Sequence, residues 1–111
     1  MTPYQFGLFA EYLTILIYKL KFYNIVHHRK KRFVGEIDII VSKGKKLIFV
    51  EVKARKTNLT DYFFSKNQQN RIRRSAELFL SYNNKYNGYD VRFDFVFVQP
   101  YKWPVIIKNA W

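Results

Sequence analysis

The chain has 111 residues and a mass of 13.5 kDa, enough for one hydrophobic core and too little to divide between two. With 49% hydrophobic residues, 20% aromatics, four Gly and three Pro, it carries the apolar surface needed to offset ordering, which excludes a disordered chain. Cysteine is absent, so disulfide frameworks, cysteine zinc sites and thiol nucleophiles are excluded together, and a reducing compartment is expected.

Twenty Lys and Arg against eight Asp and Glu leave a net charge of +12, which points to a polyanionic partner such as nucleic acid. An AT-rich genome also raises Lys and Asn, so charge alone does not decide the matter. The start MTPYQFGLFAEYL has no basic leader region and holds Glu11 within its apolar stretch, so no secretory signal is expected and the cytoplasm is the default. The apolar runs are interrupted by charge well short of the roughly 20 residues that span a bilayer, and no membrane association is predicted.

Residues 2 to 22 predict a helix. Thr2 is placed to cap it, Pro3 suits the first turn, and Gln5 completes a capping box. Phe6, Phe9, Leu13, Leu16 and Leu20 form its main apolar stripe, with Gly7, Glu11, Thr14 and Tyr18 on the opposite side, so both faces are candidates for burial. Ile25 to His28 predicts a short strand. Its neighbours His27 and His28 then point to opposite faces and are poorly placed to share a metal.

The basic stretch HRKKR at 28 to 32 leads into VGEIDIIV and then KLIFVEVKA, two strand runs rich in β-branched residues. Between them Gly44-Lys45 suits a type II′ turn, which favours Gly in its first place. That turn pairs residues whose numbers sum to 89, setting Ile40 against Phe49 and Asp38 against Glu51. Lys53 shares the Glu51 face, two residues on, and Glu36 shares the Asp38 face. Directly opposed carboxylates, with Cβ atoms about 5 Å apart, repel by roughly 3 kcal/mol at an effective dielectric near 20. Such a pair calls for a cation or a proton. A divalent ion bridges two hard oxygen ligands in a way a lysine does not, while a structural ion pair with Lys53 is the plainer alternative.

Thr57 to Phe64 predicts a loop whose Tyr62, Phe63 and Phe64 either stack on unpaired bases or bury against the sheet. Ser65 and Gln68 predict a second capping box opening a helix to about Tyr86, with Gly88 as its stop. Ile72, Ala76, Phe79 and Asn83 share one face of it, and Arg71, Arg73 and Arg74 project elsewhere. VRFDFVFV alternates as a strand, with Phe93, Phe95 and Phe97 on one side and Arg92, Asp94 and Val96 on the other. Asp94 is expected to pair with a basic neighbour. VIIK, after the Trp103-Pro104 break, predicts an edge strand. The order α-β-β-β-α-β implies an α/β fold with a central mixed sheet flanked by helices. Phosphate contacts, which position a backbone without reading sequence, fall to Arg29, Lys30, Lys31, Arg32, Lys66, Arg71, Arg73 and Arg74.

GEIDII at 35 to 40 followed by LIFVEVKAR at 47 to 55 resembles the YraN family of small bacterial proteins, placed in the PD-(D/E)xK nuclease superfamily beside archaeal Holliday junction resolvases. The resemblance runs nearly end to end. Gly7 and Glu11 match its first helix, Gln69, Arg71, Ile72, Ala76 and Leu80 its second, RFD at 92 to 94 its last core strand, and Asn109-Ala110-Trp111 its tail. Gln68 stands where the family usually has Lys, with Lys66 two residues earlier.

This resemblance implies a restriction-endonuclease-like fold and a metal-dependent endonuclease that hydrolyses DNA phosphodiester bonds, with branched or structured DNA as the candidate substrate. It makes Asp38 and Glu51 ligands of Mg²⁺ or Mn²⁺, joined by the Val52 carbonyl. Lys53 would orient or help deprotonate the attacking water. Glu11 would be a further ligand or water anchor, and Gln69 would face the site from the second helix. The competing reading is a non-catalytic nucleic-acid-binding module on the same fold. A homodimer, joined through Val105 to Lys108 or the first helix, would suit cutting two strands.

Overall fold

The computed structural model describes residues 2–28, 37–56 and 65–111. The expectations for Arg29 to Arg32, Glu36 and the Tyr62-Phe63-Phe64 trio lie outside the described residues. Helix α1 spans Pro3–Leu20, strand β1 Asn24–His28, β2 Ile39–Lys43 and β3 Lys46–Ala54. Helix α2 spans Lys66–Ser81, followed by a single 3-10 turn at Asn84–Tyr86, then β4 Asp90–Val98 and β5 Val105–Ile107. The strands form one sheet in chain order. Among the described strands only β3 and β4 run parallel, and α2 lies in the crossover between them. The result is an α/β layer arrangement, a five-stranded mixed sheet with one helix on each face, consistent with a nuclease-like fold.

The β2–β3 hairpin sets the register on which the site depends. Its pairs run from Lys43 with Lys46 to Ile39 with Val50, the predicted sum of 89 throughout. Gly44 takes φ +60 while Lys45 stays out of the left-handed region, the signature of the II′ turn. β2 is shorter than the run VGEIDIIV: it begins at Ile39, and Asp38 lies just before it. The Asp38 carboxylate accepts the Val52 N–H at 2.9 Å, so a side chain substitutes for the backbone ladder at this point.

Alternation along β3 builds two cores. Ile48, Val50 and Val52 join Ile39, Val41, Val96 and Val98 beneath α1. Leu47 and Phe49 join Ile40 beneath α2, against Ile72, Ala76 and Phe79. Phe49 is the hub of the second core, with ring centroids 6.0 Å from Phe79 and 5.5 Å from Phe93.

Helix α1 seats the side opposite to its main apolar stripe on the sheet, with Phe6 and Leu13 of that stripe packed at the margin of the core. Ala10, Glu11, Thr14 and Tyr18 are buried, while Phe9, Leu16 and Leu20 remain 49%, 52% and 70% exposed. Small Ala10 and Thr14 let the helix lie close to the sheet, and Thr14 Oγ1 returns its proton to the Ala10 carbonyl at 2.7 Å. Gly7 plays no part in that approach, because a Cβ there would meet nothing within 4 Å. The Thr2–Gln5 capping box forms in full. Among the described residues no helix is long and apolar enough to cross a membrane.

Helix α2 ends at Ser81, five residues before the predicted Tyr86. Asn83 Nδ2 donates to the Phe79 carbonyl at 2.7 Å, a local side-chain bond that ends the helix. Gly88, at φ +86, serves the turn into β4 rather than the helix terminus.

A buried node ties the layers together at Asp94. Its carboxylate accepts from Tyr18 Oη at 2.7 Å, from Arg92 Nε and Nη2 at 2.8 and 2.9 Å, and from the Asn109 N–H at 3.0 Å. Helix α1, strand β4 and the C-terminal segment thus meet at one side chain. Burial and the Asp94 carboxylate hold the Tyr18 hydroxyl far above its ordinary range, and the same carboxylate raises Arg92 further. The expected partner for Asp94 is Arg92, and the RFD and Asn-Ala-Trp stretches are halves of one structural contact.

Candidate metal and phosphodiester site

Continuing the β2–β3 register by one step sets Asp38 across from Glu51, and both side chains are sunk in the protein, at 3% and 5% exposure. Asp38 is held by the Val52 N–H. Glu51 Oε2 lies 3.2 Å from Lys53 Nζ and 3.4 Å from Gln68 Nε2. Glu51 Oε1 is buried with no hydrogen-bond partner among the described residues.

Burial and the facing Asp38 charge push the Glu51 carboxyl from its ordinary 4.5 up to about 8, against the opposing pull of Lys53. Two carboxyl groups share a low-dielectric site with one lysine, and the pair stays fully ionised only with further positive charge.

That donor set fits a hard divalent cation. Asp38 and Glu51 supply oxygen ligands, the orphaned Glu51 Oε1 has the lone pairs to give, and Val52 lies between Glu51 and Lys53 with a carbonyl to add. Among the described residues no group of three or more His, Cys, Asp or Glu side chains gathers where it could hold a metal. Two carboxylates and a carbonyl would leave coordination places for water, an arrangement that suits Mg²⁺ better than Zn²⁺.

Glu11 sits on the other side of the sheet end. Its Oε1 lies 2.9 Å from His28 Nε2, both groups buried, and Tyr12 packs edge-on against the imidazole. Glu11 also lines a cavity of about 1040 Å³ whose walls include Val52 and Lys53, so it borders the same end of β3 as the carboxylate pair. The His28 contact had no signal in the sequence beyond the opposite facing of the two histidines.

Gln69 is half-buried in the first turn of α2, and its neighbour Gln68 is the one observed to donate to Glu51. Only half of the predicted second capping box forms: Ser65 Oγ accepts the Gln68 N–H at 3.1 Å, while the Gln68 amide extends to Glu51. Lys66, Arg71, Arg73 and Arg74 are exposed on α2. Arg73 also covers the Phe93 ring, its guanidinium carbon 5.2 Å from the ring centre.

Comparison with known proteins finds relatives along nearly the whole chain. The family described as Uncharacterised protein family UPF0102 matches residues 10–98. A UPF0102 protein of Parvibaculum lavamentivorans is 38% identical over 112 residues, covering 100% of this chain and 84% of the relative. One from Ehrlichia ruminantium is 40% identical, covering 95% and 82%, and one from Rhizobium meliloti is 41% identical, covering 94% and 86%. With a hairpin, a buried acid pair and a lysine in the places that the GEIDII and VEVKA stretches predict, the chain belongs to the UPF0102, or YraN-like, family.

Proposed function

We propose that this protein is a Mg²⁺- or Mn²⁺-dependent endonuclease that hydrolyses phosphodiester bonds in DNA, with branched or structured DNA as its substrate by analogy with the resolvases it resembles. The observation that carries the reading is the buried Asp38–Glu51 pair, two facing oxygen donors beside Lys53, with Glu51 Oε1 lacking a hydrogen-bond partner among the described residues. Two facing buried carboxyl groups either share a proton or hold a cation, and a cation site uses the oxygens of both.

Asp38, Glu51 and the Val52 carbonyl would hold the ion. When bound, the ion supplies a lowered water pKa and neutralises charge developing on the phosphate. Lys53 places a fixed positive charge beside the pair, where it orients the attacking water and offsets the phosphate charge. Gln68 holds Glu51 from α2, Asp38 is fixed by the Val52 amide, and exposed Lys66, Arg71 and Arg74 give backbone contacts. Glu11 anchors water at the cavity edge. A homodimer would bring two such sites to two strands.

One observation favours the second reading, a non-catalytic nucleic-acid-binding module: Lys53 and Gln68 already satisfy Glu51 Oε2 without a metal. A cleavage screen on single-stranded, duplex, flap and four-way DNA with Mg²⁺ or Mn²⁺ separates the two. The nuclease cuts at least one of these, and Lys53→Ala abolishes the cutting. Binding without cutting by wild type, or identical behaviour of wild type and Lys53→Ala, leaves the binding module.

A further inference from the structure

Because β3 and β4 are parallel and in register to Ala54–Val98, the segments that follow them emerge at the same end of the sheet. There Arg55 N–H donates to the Val98 carbonyl at 3.1 Å. The N-terminal half of α1 closes over this end, and the space enclosed is the cavity of about 1040 Å³ bounded by Gly7, Glu11, Lys53, Arg55, Lys56 and Tyr101. Its size lies at the upper end of ligand sites. The walls are largely apolar, and among the described residues the charged side chains that line them are Lys53, Arg55, Lys56 and Glu11, with Lys53 paired to Glu51 and Glu11 to His28.

Tyr101 stands at the mouth in the turn between β4 and β5. Its backbone takes φ +59, its ring is wholly exposed at 106%, and Trp103, two residues on, is exposed as well. A left-handed tyrosine is uncommon and costs free energy, and such residues concentrate at binding sites. The floor beside Gly7 is open, since a Cβ there would meet nothing within 4 Å.

We propose that this groove binds an unpaired nucleic-acid strand, with a base stacked on Tyr101 and phosphates held by Arg55 and Lys56, and that it leads the strand to Lys53. Flat exposed rings bordering a cationic channel are the recurring equipment for single strands. A duplex keeps its base faces stacked on one another and offers Tyr101 nothing to receive. The delivery to Lys53, whose Nζ lies 3.2 Å from Glu51, rests on the nuclease reading; the strand preference itself does not need a metal.

Binding is therefore measured with chelator present, by fluorescence anisotropy of a labelled oligothymidylate of about 12 nucleotides, an abasic strand of equal length and a blunt duplex. Wild type prefers the oligothymidylate to both. Tyr101→Ala weakens that binding by roughly 5- to 150-fold, the worth of one stacked base, and leaves the abasic strand unaffected. Replacing Arg55 and Lys56 together by Ala lowers the salt slope by about 1.4, two phosphates' share on a single strand. Gly7→Leu, which fills the groove on a helix that tolerates it, blocks the strand.

Equal affinity of wild type for duplex and oligothymidylate overturns the proposal, as does a Tyr101→Ala variant that binds like wild type. Such a failure with the cleavage activity intact leaves the nuclease standing. Strand preference without cleavage under any metal sinks the nuclease alone.

Discussion

Glu51→Gln tests the electrostatics of the site without any substrate. In the folded chain burial and Asp38 hold the Glu51 proton up to about pH 8, against 4.5 for an ordinary glutamic acid. Between those limits the folded protein keeps a proton that the unfolded chain has released, so raising the pH removes it at the folded state's expense. This contribution to stability is complete below the unfolded value and is lost as the pH climbs through the folded one. Across about pH 5 to 8 it amounts to roughly 3 to 4 kcal/mol, since each unit is worth about 1.4 kcal/mol. The glutamine has the same shape and no proton to lose. Urea unfolding in chelator at several pH values should therefore show wild type weakening towards pH 8 while Glu51→Gln stays nearly level and becomes the more stable protein there. Parallel curves for the two proteins would mean that Glu51 titrates like an exposed carboxylate, and the strained acid pair would be refuted.

Gln68→Lys should place an ammonium beside Glu51 Oε2, now 3.4 Å from the amide, and lower the Glu51 pKa; the same unfolding series then loses much of its pH dependence, and an unchanged slope would place Gln68 away from Glu51 in solution. Asp94→Ala should cost about 3 kcal/mol, because it strands the Tyr18 hydroxyl, the Arg92 charge and the Asn109 amide around a buried space. In a thermal melt that is a fall on the order of 10 °C for a chain this size, and a shift of a degree or two would reduce the node to a minor contact.

The hairpin was legible in the sequence because turn chemistry and strand parity act over a few residues. Gly44 selects the II′ turn, the turn selects the register, and the register carries Asp38 to Glu51. The short β5 and the Phe side of β4 followed from alternation in the same way. Helix α1 was less legible, since both of its sides carry apolar residues and periodicity cannot say which one meets the sheet. The small side of Ala10 and Thr14 allows the closer approach, so Phe9, Leu16 and Leu20 stay outside. Where α2 ends depended on one Asn83 side chain turning back on the helix. The Gln68 and His28 contacts join residues far apart in the chain, and only the packing of helices on the sheet reveals them.

Calorimetric titration with Mn²⁺ tests the proposed cation site at Asp38 and Glu51 without reference to any substrate. Wild type should bind the ion and release protons at neutral pH, as the raised Glu51 gives up its own, and Asp38→Ala and Glu51→Gln should each lose that binding. Wild type that takes up no Mn²⁺, or an Asp38→Ala protein that takes it up equally well, would rule out a cation site at this pair.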